Sequence, residues 1–561
     1  MLEQPEPKPA SASAASTAPA ASGAEEDAPR KEVVLYAVGN IEGGIANQFY
    51  NILNTLTVVV LGMNPLIIGL ITSIKTLWDG VTDPVMAQIT DNARTRWGRR
   101  IPFILVGGVT RVLFLVAVFV FFPRDPSIKS NADLQAAKVE QSAERAAVAE
   151  VDAAQGAPEP GADVVPAPAS KAPSPPKIGP KPGLWEQLKG GVHAFLAADN
   201  TYHQHVAIYL LVACMIYALL STVQSVPYYA LGIELCPSYD GRTRVVVARA
   251  YVDKLMSFVA PWVMPFIFLP FFPTAIDGLV WYAVAVCVIG IPTTVAMCMV
   301  VKERSYHPDR KHPPAPPLLR SVWLTAKNPH FLKILFLYVL IGFSNGIFAQ
   351  VGAFLVLFYV FGGDVLGGSL MNSYAAMVAG VLTFATLPLI KRASSRFGKH
   401  RALRWAIAWF SLGLAAKWFM LDPRFPWLVL LLPFFFSVGI ASVYTLLPSL
   451  MADVTDIDEL NTGVRREGMF GAVMAFLSKA LTSLQPTIAA VVLIASGFDA
   501  ALGAHQPAEV FTRMRLMASF VPAGMLLLTL IVLIRYPLTR ERMEEVKAIL
   551  AKRNADAALA G

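Results

Sequence analysis

Residues 65–90 read PLIIGLITSIKTLWDGVTDPVMAQIT, a run that is long enough to cross a bilayer as one helix and, apart from its charged residues, apolar enough to do so. Two carboxylates, Asp79 and Asp83, stand four residues apart in it and therefore share one helical face. A charged side chain at membrane depth costs about 3 kcal/mol even on the lenient insertion scale. The pair therefore indicates an ion or proton path; the alternative is that each carboxylate only pairs with a neighbouring helix.

The composition places this helix in a polytopic membrane protein. Of the 561 residues, 55% are apolar and 15% are charged, and the mean hydropathy is +0.52; soluble domains carry about 25% charged residues. We predict an all-α integral membrane protein with twelve transmembrane helices in two pseudo-symmetric six-helix halves. The predicted spans are 34–60, 64–90, 100–122, 204–232, 243–272, 276–301, 330–361, 367–390, 401–421, 426–448, 467–496 and 511–536.

The segments outside these spans divide the chain further. We predict a disordered tail (1–32), an N-terminal half (33–301), a linker (302–329), a C-terminal half (330–537) and a second tail (538–561). A low-complexity loop (124–200), rich in alanine and proline, interrupts the first half. Within it, apolar residues recur at helical spacing across 184–196, which fits either a helix in the membrane interface or a plain linker helix.

Lysine and arginine are concentrated on one side of the predicted bundle. They follow spans two, four and eight, and they recur in the linker and in the C-terminal tail. By the positive-inside rule, we expect a multi-pass protein of the plasma membrane with both termini and these loops in the cytoplasm. The net charge of +8 is therefore a topology signal. No nucleic-acid partner is expected, because binding one would need a contiguous basic face.

Cysteine and histidine usage argues against an enzyme. The four cysteines show no metal-ligand spacing, and the eight histidines all fall in loops or at the ends of spans. Neither a histidine nor a Cys/His cluster therefore reaches membrane depth as a base or a zinc ligand. We expect no enzymatic activity and no cofactor.

A short basic motif occurs at the same place in each predicted half. RWGRR (96–100) follows span two, and RFGKHR (396–401) follows span eight. Two homologous six-helix halves are the plan of transporters that alternate access by rocking. The arrangement resembles the major facilitator superfamily, whose loops after spans two and eight carry this kind of Gly-Arg motif.

A narrower resemblance extends over nearly the whole hydrophobic part of the chain. WDGVTDP (78–84), PYYAL (227–231), DGRTR (240–244) and the run 451–479 follow one another in family order. Together they resemble the glycoside-pentoside-hexuronide:cation symporters, typified by the bacterial melibiose carrier. The resemblance implies a cation-coupled secondary transporter of a sugar or glycoside that works by alternating access.

The same resemblance implies a coupling-ion site. In it, Asp79 and Asp83 bind Na⁺ or H⁺ with a contribution from Thr222 of span four, and Lys479 of span eleven bridges the ion and sugar sites. Carboxylate and hydroxyl oxygens are the ligands that a hard cation prefers. A proton held on one carboxylate would serve as well, so both ions stay open. Lys75, one turn before Asp79, is either a structural ion-pair partner or a functional group.

The substrate residues also follow from the resemblance. Tyr229 and Tyr444 fall where the melibiose carrier has two aromatic platforms for the sugar ring, and a tyrosine can both stack on a pyranose and hydrogen-bond it. Lys479 is expected beside them. Ser225 and Gly43 stand where the family's galactoside binders carry carboxylates. Because those acids are absent, a lysophospholipid or another amphiphile is an alternative to a glycoside.

Asparagines recur at helical spacing on span one, and two of them, Asn47 and Asn51, lie near its centre. In this position they would line a polar cavity and contact the substrate. The alternative is a purely structural stripe of asparagines that bonds helix to helix.

Charged residues occupy corresponding places after span four and around the end of span ten, where we expect gates. The candidates are Glu234, Asp240, Arg242, Arg244, Asp453, Arg465, Arg466 and Glu467. Salt bridges between the halves would close the cytoplasmic side when the site faces outward. A solvated, positive-inside loop explains Arg242 and Arg244 equally well, but it explains the acids less well. The role of Arg249 on span five stays open.

Three functions therefore fit the sequence. The first is a cation-coupled sugar or glycoside transporter, and the second is an amphiphile symporter of the same fold. The third is a sensor or scaffold that does not transport; the cost of keeping Asp79, Asp83 and Lys479 in a membrane argues against it. The expected partners are a small-molecule substrate and the lipid bilayer, and we expect a monomer.

Overall fold

The structure, a computed structural model of the chain, describes residues 27–46, 48–125, 130–133, 201–236, 238–303, 325, 327–462, 467–534 and 540–560. The described residues are helical in all twelve predicted spans and form no β-strand; an isolated bridge joins Arg96 and Gly98. The all-α prediction is therefore confirmed. The possible interfacial helix at 184–196 lies outside the described residues.

The N-terminal half begins with a broken helix. Span one consists of Arg30–Val38, Ile41–Ala46, Gln48–Thr55 and a π-helical turn, Leu56–Val60. Spans two, three and four are Pro65–Asn92, Ile101–Val120 and Thr201–Glu234. Span five runs through Tyr239–Val259, Ala260–Trp262 and Val263–Ile267, and span six is Ala275–Val300. The first helix thus starts at Arg30, three residues before the predicted start of this half at residue 33.

The C-terminal half follows the same order. Span seven is Pro329–Phe354 with a π-helical turn, Leu355–Val360, span eight is Val365–Phe397, and span nine is Lys399–Met420. Span ten is Pro426–Leu431 and Leu432–Thr462, span eleven is Glu467–Thr482 and Gln485–Ala495, and span twelve is Ala508–Ile534. A terminal helix, Arg540–Ala560, packs its buried Met543, Val546 and Leu550 against the core of this half.

The two halves share details of backbone geometry as well as order. The π-helical turns end span one and span seven at corresponding places. Each is followed by a glycine in the left-handed region, Gly62 with φ of 63° and Gly362 with φ of 58°. Since side chains other than glycine rarely adopt this conformation, the same chain reversal is encoded twice. The internal repeat seen in the basic motifs therefore extends to the backbone.

Eight of the described helices are long and apolar enough to cross a membrane. They are Ile101–Val120, Tyr202–Glu234, Ala275–Val300, Pro329–Val360, Val365–Phe397, Pro426–Thr462, Met469–Ala495 and Ala508–Ile534. Spans one, two, five and nine fall outside this set. Span one is interrupted at Gly39 and Asn40, and it is described only in pieces because Asn47 lies outside the described residues. Span two carries Lys75, Asp79 and Asp83 in its middle. Span two, which carries Asp79 and Asp83 of the candidate ion site, is thus one of the four exceptions.

Local sequence explains where several spans begin and how closely they pack. Asn64 precedes Pro65, and its side chain accepts a hydrogen bond of 2.9 Å from Leu66 N, which caps span two. In span one, a Cβ on Gly39 would lie 2.5 Å from Met297 Sδ of span six. A larger residue at that position would push the two helices apart.

Contacts between the halves are found at the end of the bundle that lies away from the loops with RWGRR and RFGKHR. We call the end with these loops the basic end and the other end the opposite end. Ser73 of span two and Thr487 of span eleven share a hydrogen bond of 2.7 Å. Ser373 of span eight donates to the backbone oxygen of Pro261 in span five at 2.8 Å. An apolar cluster of Leu66, Ala490 and Ile494 lies beside the first contact. The opposite end is therefore closed.

Candidate functional site

Asp83 is the centre of the predicted cation site. Its Oδ1 accepts a hydrogen bond of 2.9 Å from Thr222 Oγ1, and its Oδ2 accepts one from Lys479 Nζ. These side chains come from spans two, four and eleven, so the cluster joins the two halves. Thr222 is buried, whereas the side chains of Asp83 and Lys479 are 28% and 45% exposed. Water can therefore reach the ion pair at the interface between the halves.

Asp79 lies one turn away and has a different partner. The Nζ of Lys75 contacts Asp79 Oδ2 at 2.7 Å, and the same ammonium lies 4.1 Å from the centroid of the Tyr50 ring. Lys75 thus stabilises the Asp79 carboxylate through an ion pair and a cation–π contact. The buried hydroxyl of Tyr50 has no hydrogen-bond partner among the described residues. An unsatisfied polar position therefore lies beside Asp79.

This arrangement is suited to exchange one cation for another. Two carboxylates and a hydroxyl offer the oxygen ligands that Na⁺ prefers, and either carboxylate can take up a proton. In the structure, the ammonium groups of Lys75 and Lys479 neutralise these carboxylates. An ion that binds Asp83 must therefore displace Lys479, which belongs to the other half. The described residues contain no group of three or more His, Cys, Asp or Glu that could hold a metal ion.

The two predicted aromatic platforms are both exposed. Tyr229 is 48% exposed and Tyr444 is 70% exposed. The guanidinium of Arg249 lies 4.9 Å from the centroid of the Tyr229 ring, so Arg249 belongs to the surroundings of the predicted sugar site. Tyr444 lines a cavity of about 400 Å³ between spans seven, ten and eleven. Most of the other lining residues are apolar, and they include Leu447, Met451, Phe470 and Met474.

The remaining predicted substrate residues have varied surroundings. Ser225 is half-buried and, being one turn before Tyr229, shares its helical face. Asn51 is exposed, and its Nδ2 donates to Gln48 Oε1 in the same helix at 3.0 Å. Asn47 lies outside the described residues. The bond made by Asn51 joins neighbours in one helix and not two helices, so a role in substrate binding stays a prediction.

A buried arginine near the site was missed by the sequence analysis. Arg111 of span three is 2% exposed, and its Nη1 donates to Ser221 Oγ of span four at 3.2 Å. Its Nη2 lies 3.5 Å from the point where a side chain on Gly43 would begin. The guanidinium thus faces position 43, at which the galactoside-binding members of the symporter family named above carry a carboxylate. A lone arginine in the apolar run 101–120 was the available signal for it.

The predicted gating residues make local ion pairs. Arg100 Nη2 lies 2.8 Å from Glu234 Oε1, and Arg99 contacts the same oxygen. In the other half, Lys399 Nζ lies 2.8 Å from Asp453 Oδ1. Each of these pairs joins groups of one half, because the end at which the halves meet closely is the opposite end.

Other gating candidates behave similarly or cannot be followed. Arg244 Nη2 lies 3.1 Å from Asp27 Oδ2, again within one half. The side chains of Asp240, Arg242, Arg465, Arg466 and Glu467 lie outside the described residues. Salt bridges between the halves therefore stay a prediction for a state in which the basic end is closed.

Curated relatives of this chain are transport proteins. An uncharacterized symporter of Synechocystis sp. is 28% identical over 241 residues, which are 42% of this chain and 43% of the relative. A glucuronide carrier protein homolog of Escherichia coli is 32% identical over 110 residues, or 20% of this chain and 24% of the relative. The chain thus spans less than half the length of these curated relatives.

Solved structures of transporters share the fold. A nucleoside transporter variant matches with a TM-score of 0.53 at 10% identity, covering 90% of this chain and 100% of that chain. A bacterial homologue of the iron transporter ferroportin, in an inward-facing state, matches with a TM-score of 0.51 at 12% identity, covering 90% and 98%. The family model described as MFS/sugar transport protein matches residues 39–130 and 191–540. Because this match covers most of the chain, the protein belongs to the MFS/sugar transport protein family.

Proposed function

We propose that this protein is a cation-coupled secondary transporter of a sugar or glycoside that works by alternating access. The observation that carries the proposal is the contact of Lys479 with Asp83, which Thr222 also binds. An intramembrane carboxylate that is neutralised by a cation from the opposite half is a site that another cation can occupy in turn. The lactose permease of Lactobacillus helveticus, 31% identical over 105 residues that make up 16% of each chain, supports a sugar as the substrate.

Ion binding and sugar binding are linked through Lys479 in this proposal. Na⁺ or H⁺ neutralises Asp83 and releases the ammonium of Lys479. The freed ammonium then donates hydrogen bonds to sugar hydroxyls, while Tyr229 and Tyr444 stack against the ring. A ligand shifts a conformational equilibrium only by its differential affinity for the two states. The ion and the sugar would together favour movement of the halves because both change the contacts of span eleven.

We assign the basic end to the cytoplasm of a bacterial cell, with both termini on that side of the inner membrane. The arginines and lysines of RWGRR and RFGKHR support this orientation. Ser73, Thr487 and their apolar neighbours close the opposite end, so in this orientation the site would open to the cytoplasm. Gating bridges between the halves belong to the other state.

A thermal-shift screen of the purified protein tests the proposal. Galactosides, glucosides and glucuronides are each added with and without Na⁺, and at pH 5.5 and 7.5. A ligand at about 100 times its Kd adds roughly 2.7 kcal/mol to the stability of the protein that binds it. We expect at least one glycoside to raise Tm, with a shift that grows with Na⁺ or with acidity. Stabilisation by no glycoside under any of these ion conditions would contradict the proposal.

A second candidate, transport of a lysophospholipid or similar amphiphile, is favoured by one observation. The cavity beside Tyr444 is lined mainly by apolar side chains, among them Leu447, Met451 and Met474. An acyl chain would bury apolar surface there at about 25 cal/mol per Å². The same screen separates the two candidates, because stabilisation by lysophosphatidylcholine and by no sugar would support the amphiphile.

A further inference from the structure

A lysine lies buried inside the C-terminal half, on a helix that does not contribute to the cation site. Lys417 belongs to span nine and is 1% exposed. Its Nζ donates to the backbone oxygen of Phe348 at 3.3 Å and lies 4.4 Å from the centroid of the Phe348 ring. No carboxylate of the described residues pairs with this ammonium. Because a buried charge is costly unless it is paired, a negatively charged ligand would stabilise the charged form of this group.

The ammonium faces a cavity of about 170 Å³ between spans seven, eight, nine and ten. A Cβ on Gly352 would lie 2.7 Å from Lys417 Nζ, so the glycine leaves the room that the ammonium occupies. Asn372 of span eight is half-buried, lines the same cavity and has no hydrogen-bond partner among the described residues. Ala349, at the edge of the cavity, is exposed, which gives a ligand a route in.

The chemistry of this lining selects one class of ligand. An ammonium and an amide both donate hydrogen bonds, and the other lining side chains are apolar, among them Phe348, Val356, Leu432 and Phe436. A carboxylate accepts two such bonds and brings one negative charge to one positive charge. A neutral sugar would leave most of its hydroxyls unpaired, and a doubly charged phosphate would bring one charge too many.

We propose that this cavity binds a monocarboxylate with a short apolar chain. Its carboxylate accepts hydrogen bonds from Lys417 and Asn372, and its chain lies among the apolar side chains. One water molecule takes up about 30 Å³ of liquid, so the cavity has the volume of roughly six waters. A ligand with a chain of a few carbons fits this volume. The site is separate from the cation site, since Asp83 and Lys479 lie on spans two and eleven.

Thermal shift of the full-length protein tests this site. The purified chain, in a detergent without carboxylate groups, is titrated with sodium acetate, butyrate and hexanoate at constant Na⁺ and constant ionic strength. Hexanamide, which has the same chain and no charge, is the matched ligand. We expect a saturable rise in Tm that is largest for hexanoate and absent for hexanamide. An equal shift with hexanamide, or no shift with any carboxylate, would overturn the proposal.

Variants identify the binding residue. Lys417→Met keeps an unbranched side chain that is one atom shorter and removes the charge, so the apparent affinity for hexanoate should fall at least tenfold. Lys391→Met, which changes an exposed lysine of span eight in the same half, is the matched control, and its affinity for hexanoate should equal that of the parent protein. If Lys417→Met does not fold, Gly352→Ala, whose methyl carbon would lie 2.7 Å from the ammonium and would push it out of its present position, should also weaken the binding of hexanoate. Retained hexanoate affinity in a folded variant of either kind would overturn the assignment.

Discussion

Replacing Lys479 with methionine should make the coupling ion bind more tightly. In the structure the ammonium of Lys479 forms an ion pair with the Asp83 carboxylate, so an incoming ion has to displace the ammonium. The two side chains are 45% and 28% exposed, and ion pairs that are this accessible to water contribute about 1 kcal/mol or less. At 1.36 kcal/mol for each factor of ten, removal of the competitor should lower the Kd of the ion by up to about fivefold.

Isothermal titration with NaCl, and a parallel titration with acid, measures this Kd in the purified variant. Lys399→Met is the matched control, because its ammonium pairs with Asp453 at 2.8 Å, away from the cation site. We expect the ion affinity of the control to equal that of the parent protein, because no carboxylate of the predicted cation site loses a competing ammonium. Sugar uptake should be lost in Lys479→Met even though the ion binds. An ion affinity that falls or stays unchanged in Lys479→Met would refute the displacement mechanism.

Three further predictions concern other contacts. Thr222→Val removes the hydroxyl that donates to Asp83 at 2.9 Å, so the ion Kd should rise about fivefold, equivalent to about 1 kcal/mol; an unchanged Kd would exclude Thr222 from the site. Glu303 accepts bonds of 2.9, 2.7 and 2.8 Å from three backbone N–H groups at the start of span three. Glu303→Ala should therefore cost about 1–2 kcal/mol and lower Tm, whereas an unchanged Tm would contradict this role. The bonds from the side chain and backbone of Ser238 hold the pKa of the Asp27 carboxyl below its ordinary value of 3.8. This contact therefore stabilises the folded N-terminus above that pH and is lost as the pH falls through the folded pKa. Pepsin cleavage near Asp27, divided at each pH by the cleavage of an unfolded reference peptide, should rise over that interval in the parent protein and stay level in Asp27→Asn; a rise of equal size in the variant would contradict the assignment.

Most of the helices could be predicted because a bilayer demands long apolar segments with internally satisfied backbone groups. Span four, for example, was expected at 204–232 and extends over Thr201–Glu234. The approach of Thr222 and Lys479 to Asp83 was expected from the family resemblance, and the structure brings the three together. Spacing along one helix, which also relates Lys75 to Asp79, is a local property that a sequence carries directly.

Other features depend on contacts between distant segments. The break in span one falls at Gly39 and Asn40, and a Cβ on that glycine would meet Met297 of span six, so the close approach there depends on a distant segment. Arg111 and Lys417 are charged residues in apolar helices, and their burial is decided by the surrounding helices. The partners of Glu234, a predicted gating residue, depend on which end of the bundle is closed. That is a property of the conformational state as much as of the sequence.

The most direct test of the central claim is ion-driven uptake into proteoliposomes that carry Asp83→Asn. The substrate is the glycoside that stabilises the protein most in the thermal-shift screen, and gradients of Na⁺ and of H⁺ are imposed separately. Asp91→Asn is the matched control, since Asp91 is an exposed acid at the basic end of the same span. We predict that Asp83→Asn folds but loses accumulation against a gradient at least tenfold, while Asp91→Asn keeps it. Undiminished ion-driven accumulation by Asp83→Asn would contradict the claim that Asp83 binds the coupling ion.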